Sequence, residues 1–220
     1  MCRGLIGRNE PHTMAVMEDM KTHWQKIHTE NKPGEVSWHQ TLPSVSLRLI
    51  QNTKIGKDQR IIDVGGGAST LVDHLLDAGF QKLTVLDISS MSLQRAKERI
   101  GERARQVDWV EADVRRYQSK HPFSLWHDRA VFHFLTQESD RQRYRQTLKN
   151  TLAPRGHLII ATFAIGGPSK CSGLEIVQYD ADTLCKCFGE GFELISAETE
   201  VHHTPWDAQQ KFIYCHFQLL

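Results

Sequence analysis

Residues 60–70 read Arg-Ile-Ile-Asp-Val-Gly-Gly-Gly-Ala-Ser-Thr, and this stretch decides the fold. Its apolar first half predicts a short buried strand. Residues 70–78 predict a helix with one apolar face, and Thr70 and Asp73 fit a capping box at the start of this helix. Glycines between strand and helix allow a sharp turn, because they carry no Cβ. The free N–H groups at the start of the helix can then bind polar or anionic atoms of a ligand. The glycines of this turn are Gly65, Gly66 and Gly67.

The next predicted strand indicates what kind of ligand this turn binds. Residues 82–86 are a second apolar run that ends in Asp87, about 20 residues beyond the last glycine. An acidic residue at that place accepts hydrogen bonds from ribose hydroxyls in nucleotide-binding α/β folds. The alternative is a purely structural turn followed by an aspartate that caps a helix. The pairing of glycine turn and acid favours a nucleoside site.

The residue before the glycines indicates which nucleoside is bound. A dinucleotide fingerprint needs a third glycine where this chain has Thr70. Asp63 would repel a pyrophosphate, but it would attract a ligand that carries an ammonium group. The arrangement Asp63-x-Gly65-x-Gly67-x-Ser69 resembles motif I of the class I S-adenosylmethionine-dependent methyltransferases, usually written Asp/Glu-x-Gly-x-Gly-x-Gly. Ser69 departs from the last glycine of that motif.

The resemblance implies an α/β fold with a doubly wound, mostly parallel sheet, helices on both faces and one antiparallel strand near the C-terminus. Predicted strands and helices alternate through residues 42–220, and residues 211–219 alternate as a final strand does. This range is the expected methyltransferase domain. Residues 1–41, with a helix predicted at residues 11–30, are the expected N-terminal helical lid.

Composition excludes several classes of protein. A chain of 220 residues predicts one domain with a full core, and a net charge of +1 provides no field for nucleic acid or an anionic membrane. We find no apolar stretch long enough to span a bilayer and no secretory signal. Five cysteines without a metal-binding spacing predict reduced thiols in a cytoplasmic protein and no metal site.

The resemblance also implies a cofactor, S-adenosyl-L-methionine, and residues that bind it. Asp87 would hold the ribose, and an acid at the place of Asp113 would sit beside the adenine amino group. A solvated acid that caps a short helix is the alternative for Asp113. The expected cofactor-binding residues are Asp63, Gly65, Gly66, Gly67, Asp87, Ile88, Asp113, Val114 and Asp128.

Residues after the fourth predicted strand are expected nearest the transferred methyl. Methyl transfer from a sulfonium is an in-line displacement, so the protein mainly positions the reactants and excludes water. A general base is needed only if the acceptor arrives protonated. His127 and Asp128 point to opposite faces of a strand, and we expect Asp128 to be the catalytic residue, as base or as anchor for the cofactor ammonium. His133 is the second catalytic candidate. The alternatives are an ion pair of Asp128 with Arg129 and a packed core histidine.

The identity of the acceptor stays open at this point. Trp38 and His39 are expected to close over the cofactor, with packing of Trp38 against the body as an equal alternative. Lys170 or Arg129 in the pocket would favour an acidic acceptor, whereas an aromatic cage that includes Trp206 would favour an amine. The expected acceptor-binding residues are Trp38, His39, Arg129, Phe132 and Lys170.

These observations support methyl transfer to an N, O or S atom of a small molecule, because the chain is compact and carries no appended recognition domain. Methylation of a lysine of a partner protein is the second hypothesis. A non-catalytic subunit that binds the cofactor and regulates a partner is the third. A dinucleotide-dependent oxidoreductase is disfavoured by the missing third glycine.

Overall fold

The computed structural model of the protein describes residues 11–189 and 191–220. A seven-stranded sheet at its centre is ordered β3-β2-β1-β4-β5-β9-β8. Strands β1 to β5 pair in parallel, whereas β9 runs antiparallel to both of its neighbours. The expectation of a mostly parallel sheet with one antiparallel strand near the C-terminus is confirmed. The strands are β1 (Arg60–Val64), β2 (Lys82–Asp87), β3 (Val107–Glu111), β4 (Phe123–Arg129), β5 (Leu152–Phe163), β6 (Lys170–Cys171), β7 (Leu174–Glu175), β8 (Phe192–His203) and β9 (Gln209–Leu219), of which β6 and β7 form a separate hairpin.

Helices cover both faces of the sheet. One face packs Leu148 and Phe188 into its apolar core, and the other packs Leu49 and Leu75. The last strand serves both cores, because Cys215 and its neighbours two residues away face one side while Phe212 and Tyr214 face the other. The helices are α1 (Pro11–Glu30), α2 (Ser44–Asn52), α3 (Leu71–Asp77), α4 (Ser90–Ile100), α5 (Glu138–Thr151) and α6 (Ala181–Phe188).

Helix α1 lies at the start of α4, beside the carboxyl ends of the strands. Its Gln25 side chain accepts hydrogen bonds from Ser89 Oγ, at 3.0 Å, and from the N–H of Met91, at 3.3 Å. Arg95 of α4 donates to the carbonyls of Thr29 and Asn31, just where α1 ends. The N-terminal segment therefore packs on the body of the protein. Residues 1–10 of the expected lid lie outside the described residues.

Two local predictions need correction. Thr70 does not cap α3, because its hydroxyl donates to the carbonyl of Gln40 at 2.8 Å and the Leu71 N–H is bound by Ser69 Oγ instead. The residues Ala153-Pro154-Arg155-Gly156 predict a turn by their composition. They are instead part of β5, which starts at Leu152 with a shift in its register against β4. No helix in the described part of the chain is long and apolar enough to cross a bilayer.

Candidate active site

The glycine turn after β1 brings three parts of the chain together. Gly65 has φ +69°, a left-handed conformation that favours glycine, and its N–H donates to the carbonyl of Leu86 at 2.7 Å. A Cβ on Gly65 would collide with Val131, and one on Gly67 would collide with Ser92 and lie 2.8 Å from Asp87 Oδ2. The glycines are therefore needed for close packing within the protein as well as for access to a ligand.

Asp87 stands at the end of β2, next to this turn. Its Oδ2 accepts a hydrogen bond from the Gly67 N–H at 3.1 Å, and its Oδ1 accepts one from the Ser89 N–H at 2.9 Å. Burial raises the pKa of Asp87 to about 6 in spite of these bonds. The Ser92 side chain bonds this carboxylate as well, and its two oxygens still have acceptor capacity for a further donor. This geometry suits ribose hydroxyls, and the assignment stays a prediction.

A cavity of about 740 Å³ opens at the carboxyl ends of the parallel strands. This is the edge at which open α/β sheets bind ligands, and the volume suits a cofactor-sized ligand. The predicted cofactor residues that line it are Gly65, Asp87, Ile88, Asp113 and Val114. Gly66 and Gly67 are buried inside the turn, and Asp63 lines a smaller chamber beside it.

Asp113 lines the cavity and also caps the turn that follows β3. Its Oδ1 accepts from the Arg115 N–H at 2.8 Å, and its Oδ2 accepts from Arg115 Nη2 at 2.6 Å. Arg115 also pairs with Asp140 at 2.9 Å. The capping role named as an alternative is therefore present, but the carboxylate is nearly buried and faces the cavity. Its expected place beside an adenine stays a prediction.

Asp128 differs from the expectation, because it does not line the cavity. It is fully buried at the end of β4, where Oδ2 accepts from the Tyr144 hydroxyl at 2.7 Å and Oδ1 accepts from the Val131 N–H at 3.0 Å. Burial raises its pKa to about 6. It makes no ion pair with Arg129 either. The carboxylate holds the turn that follows β4, and this turn forms one wall of the cavity.

His133 is also fully buried. Its ring lies between Phe134, with centroids 4.5 Å apart, and Phe163, with centroids 4.9 Å apart. Burial lowers the pKa of His133 to about 3, so the ring is neutral near pH 7 and is a weak base. A packed core histidine, the alternative stated above, describes this position.

Only part of the expected acceptor-binding set faces the cavity. Trp38 and Arg129 line it, and His39 lines the smaller chamber. Phe132 is fully buried among Tyr144, Tyr179 and Phe188, because the turn after Asp128 directs it into the core. Trp206 does not line the cavity and is 58% exposed. Lys170 does not line it either, and its exposed ammonium pairs at 2.8 Å with Glu175, which does.

Trp38 and two aromatic rings that the sequence did not reveal, Trp24 and Phe134, form one wall of the cavity. Trp24 of α1 lies edge-on to Trp38, with centroids 5.7 Å apart, and to Phe134, with centroids 5.0 Å apart, and all three line the cavity. Met20 and His28 extend this wall along one face of α1. Their spacing of four residues is the signal that could have identified it. We call Trp24, Trp38 and Phe134 the aromatic wall.

Trp38 is held in place through the backbone of residues 37–41, which we call the strap. Four side chains donate hydrogen bonds to the carbonyl groups of the strap. One is on β4, one is on β8, one is on α3 and one belongs to the residue just before α3. The strap is thus fixed at several points, and its Trp38 side chain lines the cavity. The bonds are His202 Nε2 to Ser37 O at 2.7 Å, Arg129 Nη1 to Trp38 O at 3.0 Å, Thr70 Oγ1 to Gln40 O at 2.8 Å and His74 Nε2 to Thr41 O at 3.0 Å.

A serine, a histidine and an aspartate line a small chamber of about 40 Å³ beside the glycine turn. His127 Nδ1 donates to Asp63 Oδ1 at 2.7 Å, and the Ser46 hydroxyl donates to His127 Nε2 at 2.9 Å. Ser46 is fully buried, so this chain of bonds is not arranged for nucleophilic attack on a substrate. It fixes the orientation of the Asp63 carboxylate. Among the described residues, no group of three or more potential ligands is arranged to hold a metal ion.

Residues 62–158 match the family model described as "Methyltransferase domain". Nodulation protein S of Sinorhizobium fredii (strain NBRC 101917 / NGR234) is 26% identical over 169 residues, which cover 74% of each chain. The eEF1A lysine and N-terminal methyltransferase of Mus musculus is 25% identical over 92 residues, or 42% of this chain. The chain spans only 13% of that mouse protein.

Solved structures share the fold over nearly the whole chain. A SAM-dependent methyltransferase from Anabaena variabilis ATCC 29413 has a TM-score of 0.72 at 16% identity, covering 93% of this chain and 95% of its own. The N-methyltransferase NodS from Bradyrhizobium japonicum WM9, in complex with S-adenosyl-L-homocysteine, has a TM-score of 0.66 at 15% identity, covering 90% and 98%. The 1,6-didemethyltoxoflavin-N1-methyltransferase of Burkholderia thailandensis has a TM-score of 0.68 at 14% identity, covering 99% and 93%.

Proposed function

We propose that this chain, which is a class I S-adenosylmethionine-dependent methyltransferase, methylates a nitrogen atom of a small molecule. The observation that carries the proposal is the single cavity of about 740 Å³ that runs from Asp87 to the aromatic wall. One end presents the groups that suit a nucleoside, and the other carries the aromatic wall, with Trp24 from α1 and Trp38 from the strap. A cofactor and a small acceptor can therefore meet in one cavity.

The cofactor end of the cavity is proposed to lie between Asp87 and Asp113. Asp87 would accept hydrogen bonds from ribose hydroxyls, while Ile88 and Val114 contribute apolar surface for a base. S-adenosylmethionine, when bound, supplies a methyl group on a sulfonium sulfur. Backbone groups of the turn at Gly65 line the cavity between the two acids and the aromatic wall.

The acceptor end is proposed to lie against the aromatic wall. The rings of Trp24, Trp38 and Phe134 offer apolar surface and edges that exclude water, and Cys171 and Leu174 of the β6–β7 hairpin face the same space. Aromatic faces also attract amines in their cationic form. Nitrogen as the accepting atom is supported by the names of NodS and of the toxoflavin enzyme, which are N-methyltransferases.

Catalysis in such a cavity is proposed to rest on positioning. Asp128 and His133, the two expected catalytic residues, are buried beneath the cavity wall. We propose that Asp128 acts by holding the turn that carries Val131 and Phe134, and that the acceptor nitrogen attacks in its neutral form. A nitrogen with a low pKa, such as a heteroaromatic one, needs no protein base for this step.

We also propose that the chain divides into an N-terminal segment and a methyltransferase domain. Residues 42–220 form the methyltransferase domain, and residues 1–41 are its N-terminal lid segment, of which α1 and the strap place Trp24 and Trp38 at the cavity. We propose that this segment covers bound ligands as a lid, with the strap bonded at four carbonyls and α1 bonded to Ser89 and Arg95 of the body. The four cysteines within the described residues are free thiols, which supports a cytoplasmic location.

Methylation of a protein lysine is the second candidate, favoured by the match to the mouse lysine methyltransferase. One experiment separates the two: the protein is incubated with methyl-labelled S-adenosylmethionine and a cell extract that has been divided by size. We expect S-adenosylhomocysteine to form and label to enter the low-mass fraction, and Asp87→Ala to lose both. Label confined to the protein fraction would support the second candidate. Absence of S-adenosylhomocysteine with every fraction would support a non-catalytic subunit.

A further inference from the structure

The charged side chains that line the large cavity are compensated within the protein. Apart from Asp87, which the proposed cofactor uses, each of them forms an ion pair with another residue that the structure describes. The pairs are Arg115 with Asp113 at 2.6 Å and with Asp140 at 2.9 Å, Arg143 with Asp140 at 3.6 Å, Arg129 with Glu200 at 3.8 Å and Glu175 with Lys170 at 2.8 Å. A charged acceptor would therefore find no unpaired group of opposite charge at its end of the cavity.

The two possible signs of charge on an acceptor are both unfavourable here. A cationic acceptor within reach of the methyl group would be repelled by the sulfonium of bound S-adenosylmethionine. An anionic group would lose its water against the aromatic wall without gaining a cation from the protein. An uncharged acceptor avoids both costs.

The aromatic wall is shaped for a flat molecule. The ring of Trp24 stands at 80° to that of Trp38 and at 74° to that of Phe134. A planar ring that stacks on one of these side chains therefore meets another edge-on, and both arrangements are favourable for aromatic pairs. Burial raises the pKa of Cys171 to about 11, so this residue adds an uncharged thiol to the same cavity. The surface thus suits a planar aromatic acceptor.

His28 brings a polar group to this apolar surface. It lies one helical turn after Trp24 on α1, lines the cavity and is only 7% exposed. Its ring centre is 6.0 Å from that of Trp24 and 6.1 Å from that of Trp38. Neither of its ring nitrogens makes a hydrogen bond within the part of the chain that the structure describes. A buried polar group without a partner costs free energy, so a ligand is the expected partner of this imidazole.

Arg95 helps to keep the His28 imidazole neutral. Its guanidinium donates to the carbonyls of Thr29 and Asn31 where α1 ends, and this holds its charge close to His28. Burial, and then the charge of Arg95, lower the pKa of His28 to about 4. A neutral imidazole offers one N–H donor and one lone pair. It therefore matches an uncharged ring that carries an N–H or a carbonyl group at its edge.

We propose that the acceptor is an uncharged, planar nitrogen heterocycle that stacks on the aromatic wall, and that His28 determines specificity by a hydrogen bond to its polar edge. The inference rests on the proposed function, because it takes methyl transfer to a small molecule as given. A pyridine-type nitrogen of such a ring attacks with its own lone pair. The nitrogen–carbon bond forms as the carbon–sulfur bond breaks, the electron pair of that bond stays on sulfur, and the positive charge passes to the heterocycle. No proton has to leave the acceptor before this step.

Ion exchange of the natural acceptor tests its charge. The low-mass fraction of a cell extract is passed at pH 7 over a cation exchanger and then over an anion exchanger, and each pool is incubated with the protein and methyl-labelled S-adenosylmethionine. We expect most of the labelled product to come from the unretained pool and to show the near-ultraviolet absorption of an aromatic ring. Product mainly from an eluted pool, or product without that absorption, would overturn the proposal. Absence of S-adenosylhomocysteine with the undivided low-mass fraction would instead contradict the proposed function.

Variants of His28 test its part in recognition, with the unretained pool as the source of acceptor. His28→Leu removes both ring nitrogens and should lower methyl transfer at limiting acceptor by about three- to tenfold, as expected for a lost hydrogen bond between neutral groups. Calorimetric binding of S-adenosylhomocysteine should stay within about twofold, because the cofactor does not use this bond. His28→Gln keeps a donor and an acceptor and should recover most of the transfer. The matched control is His23→Leu, because His23 also lies edge-on to Trp24, with centroids 5.4 Å apart, but does not line the cavity.

The outcomes decide the role of His28. Equal loss of transfer in His28→Leu and His28→Gln would show that the residue only packs against Trp24 and Trp38, and this would overturn its role in recognition. Unchanged transfer in His28→Leu, or a loss of the same size in His23→Leu, would overturn it as well. Should His28→Leu not fold, His28→Phe serves, because it keeps an aromatic ring in place and removes both nitrogens.

Discussion

Removing the hydroxyl of Tyr144 probes whether Asp128 supports the cavity wall. Tyr144→Phe keeps the ring but takes away the donor to Asp128 Oδ2 and the acceptor for Trp126 Nε1, at 2.7 and 2.9 Å. All three side chains are fully buried. A hydrogen bond to a charged group is worth about 1.5–3 kcal/mol and a stranded buried donor costs about 1–3 kcal/mol. We therefore expect the free energy of unfolding at pH 7.5 to fall by about 3–5 kcal/mol, measured by urea denaturation.

The effect of pH provides the internal control for this variant. Burial raises the pKa of Asp128 to about 6, and the Tyr144 hydroxyl bond holds it down, so the variant's pKa lies higher still. A carboxyl whose folded pKa is raised contributes stability at low pH that is lost as pH rises through that pKa. The penalty of Tyr144→Phe should thus be smaller at pH 5 than at pH 7.5. A penalty below about 0.5 kcal/mol, or one equal at both pH values, would refute the reasoning.

Three further predictions concern the turn, a buried histidine and the aromatic wall. Gly67→Ala, whose Cβ would collide with Ser92, should cost about 1–3 kcal/mol of stability in urea denaturation and weaken S-adenosylhomocysteine binding, whereas Gly34→Ala, with nothing nearby, should do neither. Burial lowers the pKa of His216 to about 4, so neutral His216 stabilises the fold above pH 6.5 and this stabilisation is lost as the pH falls towards 4. His216→Gln should therefore flatten the dependence of the free energy of unfolding on pH in this range. An unaltered dependence would contradict this. Trp24→Ala should raise KM for the acceptor by about tenfold and leave KM for S-adenosylmethionine within about twofold, and an equal rise in both would place Trp24 at the cofactor.

The glycine turn and Asp87 could be predicted from sequence because parallel strands align their carboxyl ends. Wherever β1 and β2 are neighbours, residues that follow them meet at one edge of the sheet. Spacing along the chain therefore translates directly into proximity for Gly67 and Asp87, which the structure joins by a hydrogen bond. The alternation of the last strand could also be predicted, because successive side chains of a strand face opposite sides of the sheet.

The side chains after β4 could not be predicted in this way. Strand alternation stops at Arg129, and a short 3-10 turn then sends Phe132 and His133 into the core and Phe134 to the cavity. A local turn of this kind has no periodicity that a sequence pattern reveals. Its direction is set by Asp128, which binds the N–H of Val131, and by the buried Tyr144 beneath it.

The strap also depends on contacts between distant parts of the chain. Arg129 lies 91 residues from Trp38 and His202 lies 165 residues from Ser37, and each binds a backbone carbonyl that has no sequence signature. Lys170 was expected to bind the acceptor, but its long side chain is exposed and pairs with Glu175. The sequence does not show in which direction such a side chain points. Such long-range contacts appear only once the fold is known.

The central claim is that the cavity binds a sulfur nucleoside through Asp87. Calorimetric titration of the wild type with S-adenosylhomocysteine and with NAD tests it most directly, with Asp87→Ala as the matched variant. We predict binding of S-adenosylhomocysteine and none of NAD, and a loss of about 1.5–3 kcal/mol of binding free energy in Asp87→Ala, as expected for lost charged hydrogen bonds. Tight binding of NAD without binding of S-adenosylhomocysteine would contradict the account.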